Sequence, residues 1–323
     1  MERKLLYLSP ADVEVAAVPM ERIIEAIETM FIEKGEGRVE MPPKPGIHPR
    51  PDSFIHAMPA YIPALHSAGM KWVSGFPDNI EKGLPYISGV IVLNDPETGI
   101  PLAIMDATWI TAKRTGAATA VAAKFLARSD SRVAGILGCG VQGRSNLEAL
   151  KTLFPLRSVL AYDTDLEARE RYVAEMSRKL SLDVIPVDGP KKAFIGADIV
   201  ITAGPLLKTP HATIPPGWLA EGAFASLVDY DSYWSRDALK EVDKFCTDDI
   251  PQLEYYKTMG YFRDIPPVYA ELSELVTGRK PGRENPSERT MTCNLGLALD
   301  DMAAAPLVYQ EAVEKGLGTV LPL

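Results

Sequence analysis

The chain has little of what metal, disulfide and membrane proteins are built on. Its 323 residues include three cysteines, Cys139, Cys246 and Cys293, far apart and without zinc-ligand or redox spacing. They read as reduced thiols. The four histidines, His48, His56, His66 and His211, also lack ligand spacing, so no metal is expected. No apolar run approaches the roughly 18 residues that span a bilayer, and the N-terminal apolar stretch is too short for a signal peptide. A cytoplasmic protein is expected. No G-x-S-x-G elbow occurs, which removes the commonest serine-hydrolase pattern. Positive charge is not in excess: the formal net charge is -9. An acidic surface repels phosphate backbones and anionic lipid, so neither nucleic acid nor a membrane surface is expected as a partner.

What is present is ordinary globular material. Hydrophobic residues make up 46% and charged residues 24%, enough to bury a core, and the length suits two domains. Met20 to Lys34 carries Ile23, Ile24, Ile27, Met30 and Phe31 at helical spacing, closed by Gly35 and Gly37. Four strand-like stretches follow, Ser53 to Ile62, Gly69 to Gly75, Ile87 to Asn94 and Ile100 to Asp106. The last two are joined by Asp95-Pro96-Glu97-Thr98-Gly99, a turn sequence that predicts antiparallel neighbours. An alanine-rich helix is predicted from Ala107 to Ala127.

After Ser129-Asp130-Ser131, strands and helices alternate. Strands are predicted at Val133 to Leu137, Ser158 to Tyr162, Asp183 to Val187, Asp198 to Ala203 and Ala223 to Val228, with helices at Val141 to Phe154 and Asp165 to Leu180. This alternation predicts a doubly wound parallel sheet, an α/β Rossmann domain. Thr290 to Cys293 reads as a strand, and Leu295 to Lys315 as a helix kinked by Pro306.

The sharpest local signal is Gly138-Cys139-Gly140-Val141-Gln142-Gly143, set between a predicted strand and a predicted helix. That context turns a weak G-x-G-x-x-G into a dinucleotide fingerprint. Gly138 permits the tight turn, Gly140 leaves room for the pyrophosphate and Gly143 lets helix and sheet approach. Val141 and Gln142 open the helix, whose unpaired N–H groups attract phosphate. Arg144 and Ser145 are further candidates for phosphate contact. Asp163, ending the second strand, is placed to accept from the ribose hydroxyls and to repel a 2′-phosphate, which favours NAD over NADP. Thr202-Ala203-Gly204 ends another strand and is expected near the cofactor.

The first half adds His56-Ala57-Met58-Pro59-Ala60-Tyr61, Gly69-Met70-Lys71-Trp72-Val73 and Thr111-Ala112-Lys113-Arg114-Thr115-Gly116-Ala117. The end adds Asn294-Leu295-Gly296-Leu297-Ala298-Leu299-Asp300-Asp301. Taken with the glycine motif, this ordered set resembles the ornithine cyclodeaminase/mu-crystallin family over nearly the whole chain.

The resemblance implies a homodimer built on the first domain, with the C-terminal helix folding back onto it. It assigns residues 1–118 with 302–323 to an α+β substrate-binding and dimerisation domain, and 119–301 to the Rossmann domain. It implies that Lys71 and Arg114 hold a substrate carboxylate, an ammonium and a guanidinium fork suited to that anion. Lys44, after Pro42-Pro43, stands where the family commonly has arginine. His56 stands where the cyclodeaminases have glutamate, which weakens an ornithine assignment. It is either a proton shuttle near neutral pH or a structural histidine. Asp229 resembles the family's acid near the substrate amine, although Val228-Asp229-Tyr230-Asp231-Ser232-Tyr233-Trp234 departs from the glycine-rich family sequence and makes Asp231 a competitor. Asn294, Thr115, Thr202 and Ala203 fall near the cofactor in the same comparison.

The function expected is NAD-dependent oxidoreduction of a small α-amino or α-imino acid, with Asp229, Lys71 and His56 as the catalytic candidates. Two alternatives stay open. One is a cyclodeaminase-like lyase that uses NAD catalytically. The other is a non-catalytic binding protein in the manner of the mu-crystallins.

Overall fold

A helix that buries nearly all its circumference organises the first part of the protein. In the computed structural model, which describes residues 4–50 and 53–323, the chain divides into two units, Met1–Arg114 with Leu297–Leu323, and Thr115–Gly296.

The first unit opens with β1 (Lys4–Leu8), α1 (Pro10–Ala16) and α2 (Met20–Gly35). Ser9 starts α1 by accepting the Asp12 N–H, while the Asp12 carboxylate accepts the Ser9 N–H, a reciprocal cap. The apolar stripe of α2 buries Ile23, Ile24, Ile27, Met30 and Phe31. Next come β2 (Gly46–Ile47), β3 (Phe54–Ile62), β4 (Ser67–Gly75), β5 (Ile87–Asn94), β6 (Pro101–Asp106) and α3 (Thr108–Leu126). The strands β5 and β6 are antiparallel neighbours across the Asp95–Gly99 turn, as their sequence implies.

The second unit continues with β7 (Val133–Leu137), α4 (Val141–Leu153), β8 (Ser158–Tyr162), α5 (Leu166–Leu180), β9 (Asp183–Pro186), β10 (Ile199–Thr202) and β11 (Phe224–Leu227). It ends with α6 (Arg236–Leu239), β12 (Lys244–Thr247), α7 (Ile250–Thr258), β13 (Ala270–Glu271), α8 (Leu272–Val276) and β14 (Thr290–Cys293). The chain then returns to the first unit with α9 (Ala298–Glu314) and β15 (Thr319–Pro322).

Among the described residues the first unit holds a seven-stranded sheet, ordered β15-β1-β6-β5-β4-β3-β2, and the second an eight-stranded sheet, ordered β13-β12-β14-β11-β10-β7-β8-β9. The second sheet is parallel throughout. Its order runs outward in both directions from β7 and β10, a doubly wound sheet with its switch point between those two strands. No helix of the described residues is long and apolar enough to cross a membrane.

The expected domain limits at 118/119 and 301/302 are displaced. The division falls inside α3 at Arg114/Thr115, and at Gly296/Leu297. From Gly116 onward α3 lies against α4: a Cβ on Gly116 would sit 2.4 Å from the Ser145 carbonyl oxygen. Arg114 instead pairs with Asp300 and Asp301, which therefore belong to the first unit. The strands β1 and β15 and the helix α1 were not visible in the hydropathy pattern, nor were β12, β13 and α6 to α8.

Pro306 was expected to kink the last helix; it lies inside α9, which runs on to Glu314. Proline has no N–H, so the carbonyl four residues back, on Met302, loses its usual helical donor. Ser67 on β4 supplies one: its hydroxyl donates to the Met302 carbonyl oxygen at 2.6 Å, with both residues fully buried. Beside it, a Cβ on Gly69 would meet the Val92 carbonyl oxygen at 2.2 Å and the Met302 sulfur at 3.0 Å. The helix α9 packs on β3, β4 and β5 on one side and on α1 and α2 on the other.

Ser67→Ala strands that carbonyl and is expected to cost roughly 1–3 kcal/mol, read as a lower midpoint of urea unfolding. Pro306→Ala restores an N–H to α9, so the double variant should be less destabilised than Ser67→Ala alone. Equal losses in the single and double variants would show that Ser67 does not substitute for the missing donor.

Candidate active site

In the second unit the carboxyl ends of β7, β8, β10, β11 and β14 carry the residues singled out for a dinucleotide. Gly138 follows β7 with φ +105, a conformation that favours glycine. A Cβ there would lie 2.4 Å from the Ala203 carbonyl oxygen at the end of β10. A Cβ on Gly143 would lie 2.2 Å from the Gly138 carbonyl oxygen, so this glycine lets α4 close onto the loop. Around Gly140 the situation is reversed, with nothing within 4 Å of its Cβ position. The three glycines thus do three different jobs, and the space at Gly140 is what a pyrophosphate needs. Gly140 is also the N-cap of α4. It has no side chain to occupy the first N–H groups, which point at any anion placed there. Val141 is 59% exposed, an apolar surface at the same spot.

Asp163 braces this loop. Its Oδ2 accepts the Cys139 N–H at 2.7 Å and its Oδ1 accepts the Asp165 N–H at 2.9 Å. Arg144 and Ser145, expected as phosphate contacts, are engaged otherwise. Arg144 donates to the carbonyls of Cys139 and Gly140, pairs with Glu175 at 2.8 Å and lies over the Tyr172 ring. The Ser145 hydroxyl donates to the Gln142 carbonyl at 3.3 Å. Both residues stiffen the loop. Cys139 is fully buried, and burial pushes its thiol up to about 12, so it is inert at neutral pH.

Asp229 lies just beyond β11 and is 1% exposed. Its Oδ1 accepts the Thr202 hydroxyl at 2.6 Å and its Oδ2 accepts the Gly204 N–H at 2.9 Å. The Trp234 indole N–H donates to Thr202 Oγ1 at 3.4 Å, which leaves the Thr202 proton for Asp229. Burial outweighs these bonds and pushes the Asp229 carboxyl up to about 7. The competing acid Asp231 is also buried, and burial raises it, but its carboxylate takes its hydrogen bonds from the backbone, Phe262 included, and has Asp264 nearby, with no bond to Thr202 or Gly204. Between them Tyr230 takes φ +61, rare for a bulky residue, with its ring held by Tyr256, Tyr261 and Phe262.

Asn294 follows β14. Its Oδ1 accepts the Thr292 hydroxyl at 2.7 Å, which fixes the orientation of the amide and of its donor Nδ2. That nitrogen is buried and has no partner among the described residues. An orphaned donor at the end of a Rossmann strand fits a cofactor amide or ribose. Thr115 lies part-buried on α3.

In the first unit, Lys71 on β4 and Arg114 on α3 are 1% and 6% exposed. The first turn of α9 meets them with two fully buried acids. Lys71 Nζ lies 2.6 Å from Asp301 Oδ2, Arg114 Nε lies 3.1 Å from Asp301 Oδ1, and Arg114 Nη1 lies 3.0 Å from Asp300 Oδ2. Thr111 Oγ1 accepts from Lys71 at 3.4 Å. An ammonium has three donors, so one is left for a ligand. Burial pulls Lys71 down to about 8, against the opposing pull of Asp301.

Sequence reasoning singled out the two cations and passed over the two acids as site residues. The signal was there: adjacent aspartates in the otherwise apolar first half of a helix must find partners if that half is buried.

His56 pairs across the sheet with Val73 and Gly46, on the same face as Lys71, whose partner is Met58. It stacks on Phe54 with ring centroids 4.4 Å apart. Burial, then the charges of Lys44 and His48, lower His56 to about 4. The ring is therefore neutral at pH 7, one nitrogen a donor and the other an acceptor. Lys44, part-buried, contributes positive charge to this end of the sheet. Among the described residues no group of three or more His, Cys, Asp or Glu is placed to hold a metal ion.

The model of the ornithine cyclodeaminase/mu-crystallin family matches residues 4–316. The chain belongs to this family. Among its relatives is the nodulation efficiency protein NfeD of Rhizobium meliloti, 37% identical over 317 residues, with 98% of each chain covered. The solved structure of the Δ1-pyrroline-2-carboxylate reductase of Thermococcus litoralis, in complex with NADH and L-proline, matches with a TM-score of 0.88 at 35% identity, covering 98% of this chain and 99% of that one. An archaeal alanine dehydrogenase dimer with bound NAD matches with a TM-score of 0.88 at 32% identity, covering 99% and 100%.

Gly140→Ala is expected to leave the melting temperature in place and to weaken NADH binding at least about tenfold, equivalent to about 1.4 kcal/mol. Titration of NADH fluorescence reads this directly. Gly143→Ala should do the opposite and lower the melting temperature, because its methyl group presses on a backbone oxygen. Loss of stability in both, with equal NADH affinity, would remove the pyrophosphate role from Gly140.

Proposed function

We propose that this protein is a NAD-dependent oxidoreductase of small α-amino or α-imino acids. Its relatives in the family reduce or dehydrogenate such compounds, as the bound NADH and L-proline of one and the name of another indicate. The observation that supports the reading most is Asp229, a buried acid held by two hydrogen bonds and titrating near neutrality beside the dinucleotide motif. Such an acid can both give and take a proton in the physiological range.

Lys71 and Arg114 bind the substrate carboxylate, and Lys44 adds to the positive field. The Gly138–Gly143 loop receives the pyrophosphate, Asp163 the ribose, and Asn294 and Thr115 the nicotinamide end. Bound NAD(H) supplies or accepts the hydride that the substrate α-carbon exchanges. Asp229 carries the accompanying proton at the substrate nitrogen. In the reductive direction its protonated form donates to the imine, which makes the carbon a better hydride acceptor. In the oxidative direction its ionised form accepts from the ammonium. The hydrogen bonds of Asp229 to Thr202 and Gly204 favour it over Asp231, and neutral His56 is a hydrogen-bonding group on the sheet face that carries Lys71.

The protein works as a homodimer through the first sheet. The neighbouring alanine dehydrogenase is a dimer. In this chain Trp72 and Val90, paired across β4 and β5, remain 44% and 36% exposed on the side of the sheet away from α9, an apolar patch that a second copy can cover.

The direct test is oxidation of NADH by the purified protein with 1-pyrroline-2-carboxylate, and separately with 2-oxo acids plus ammonia. Turnover with either class is expected. No turnover, together with ammonia release from ornithine, would replace the reading by a cyclodeaminase; NADH binding with neither activity would leave a binding protein.

The proton role has its own signature. In the reductive direction kcat/KM should fall as pH rises through about 7, and in the oxidative direction it should rise through the same value. Asp229→Asn should abolish both limbs and lower kcat by roughly 100-fold or more. A surviving limb near pH 7 in that variant would assign the proton to another group.

A further inference from the structure

Lys71, Arg114, Asp300 and Asp301 form a closed group of two cations and two anions, each more than nine-tenths buried. They come from β4, α3 and the first turn of α9. Replacing a buried ion-pair group with apolar residues is commonly neutral or stabilising. Stability alone therefore does not call for four charges here. The carboxylate site does call for two buried cations, and cations buried without partners would lose their protons or their orientation.

We propose that Asp300 and Asp301 are the positioning residues of the carboxylate site: Asp300 orients the Arg114 guanidinium, and Asp301 holds the Lys71 ammonium and keeps it charged. The proposal rests on Lys71 and Arg114 being the carboxylate ligands.

The two acids are not equivalent. Asp300 Oδ2 takes Arg114 Nη1 at 3.0 Å and the Leu297 N–H at 2.9 Å, which ties the guanidinium to the start of α9. Asp301 bridges the cations, with one oxygen 2.6 Å from Lys71 Nζ and the other 3.1 Å from Arg114 Nε. The charged groups that face Lys71 are Asp301 and Asp300 from α9 and Arg114 from α3. Burial and Arg114 drive its proton off, while Asp301, and behind it Asp300, retain it. Arginine keeps its proton at any usable pH. Loss of the Asp301 charge therefore acts first on the ionisation of the site, whereas loss of the Asp300 charge acts mainly on the aim of a permanent cation.

The test is steady-state kinetics of the full-length protein with NADH and 1-pyrroline-2-carboxylate, or with pyruvate and ammonia if that is the pair the wild type turns over. KM and kcat are followed from neutral to alkaline pH. In the wild type KM should rise above about pH 8, as Lys71 loses its proton. In Asp301→Asn that rise should move at least about one pH unit lower, a tenfold change in proton affinity, with kcat less affected than KM. In Asp300→Asn KM should rise with the pH profile in place. Asp301→Glu, which keeps the charge, should retain the wild-type profile. NADH affinity should stay unchanged in all three.

Should Asp301→Asn fail to fold, Asp300→Asn decides: a wild-type KM in that variant overturns the proposal. So does an Asp301→Asn profile that coincides with the wild type, or an Asp300→Asn profile that shifts as far as that of Asp301→Asn. The underlying reading fails separately and visibly, if the wild type turns over neither probe, or if Lys71→Met and Arg114→Ala leave KM unchanged.

Discussion

Two positive charges kept out of water set the terms for the first unit. An ammonium and a guanidinium buried to this degree must be compensated at short range. The compensation comes from a helix almost 190 residues downstream of one of them: Arg114 and Asp300 are 186 residues apart in the chain and 3.0 Å apart in space. That single requirement explains why α9 lies against β3, β4 and β5, why its first turn carries adjacent acids inside an apolar sequence, and why the chain returns to its first unit after completing the second. The rest of α9 makes the return tolerable. Alanines allow close packing, and the carbonyl left without its helical donor by Pro306 is served by Ser67.

The second unit answers a different constraint, the approach of backbone to an anion. Three glycines in six residues would ordinarily weaken a chain. Here two of them are needed because other backbone atoms fill the places of their side chains, and the third leaves a space open. The side chains that might have been thought to reach a phosphate face inward. Arg144 clasps the loop carbonyls, and Asp163 holds the loop N–H from the other side. The motif is thus fixed in shape by its own neighbours, and preorganisation of this kind spares a ligand the cost of ordering it.

Much of this was legible from the residues. The strands from Val133 to Val228 and the glycine motif follow short-range rules of hydrophobic pattern and turn chemistry, and the order of the parallel sheet bears them out. The four central strands of the first sheet were legible for the same reason. What escaped depends on contacts distant in sequence. β1 and β15 are short, β1 part-exposed and β15 exposed throughout, and they pair with one another across the length of the chain, so neither carries a clear pattern of its own. The segment from α6 to α8 consists of brief elements whose burial comes from an aromatic cluster around Tyr230, not from periodicity. Pro306 was read by its local effect, and the Ser67 hydroxyl that offsets it could not be foreseen. The ionisation of His56 and of Asp229 is likewise set by burial, which a residue's identity does not disclose.

The discontinuity of the first unit has a consequence for how the protein is made. Synthesis runs from the first residue to the last, so most of residues 115–296 emerges before α9 does. During that interval the sheet β6-β5-β4-β3 lacks the helix that covers one of its faces, and Lys71 on β4 and Arg114 on α3 are without their counter-charges. The earliest-made domain is therefore the last to be finished, and the helix that finishes it is also the one that brings the acids. A chain that lacked α9 would hold the second unit beside a first sheet without its covering helix, a species suited to capture by chaperones.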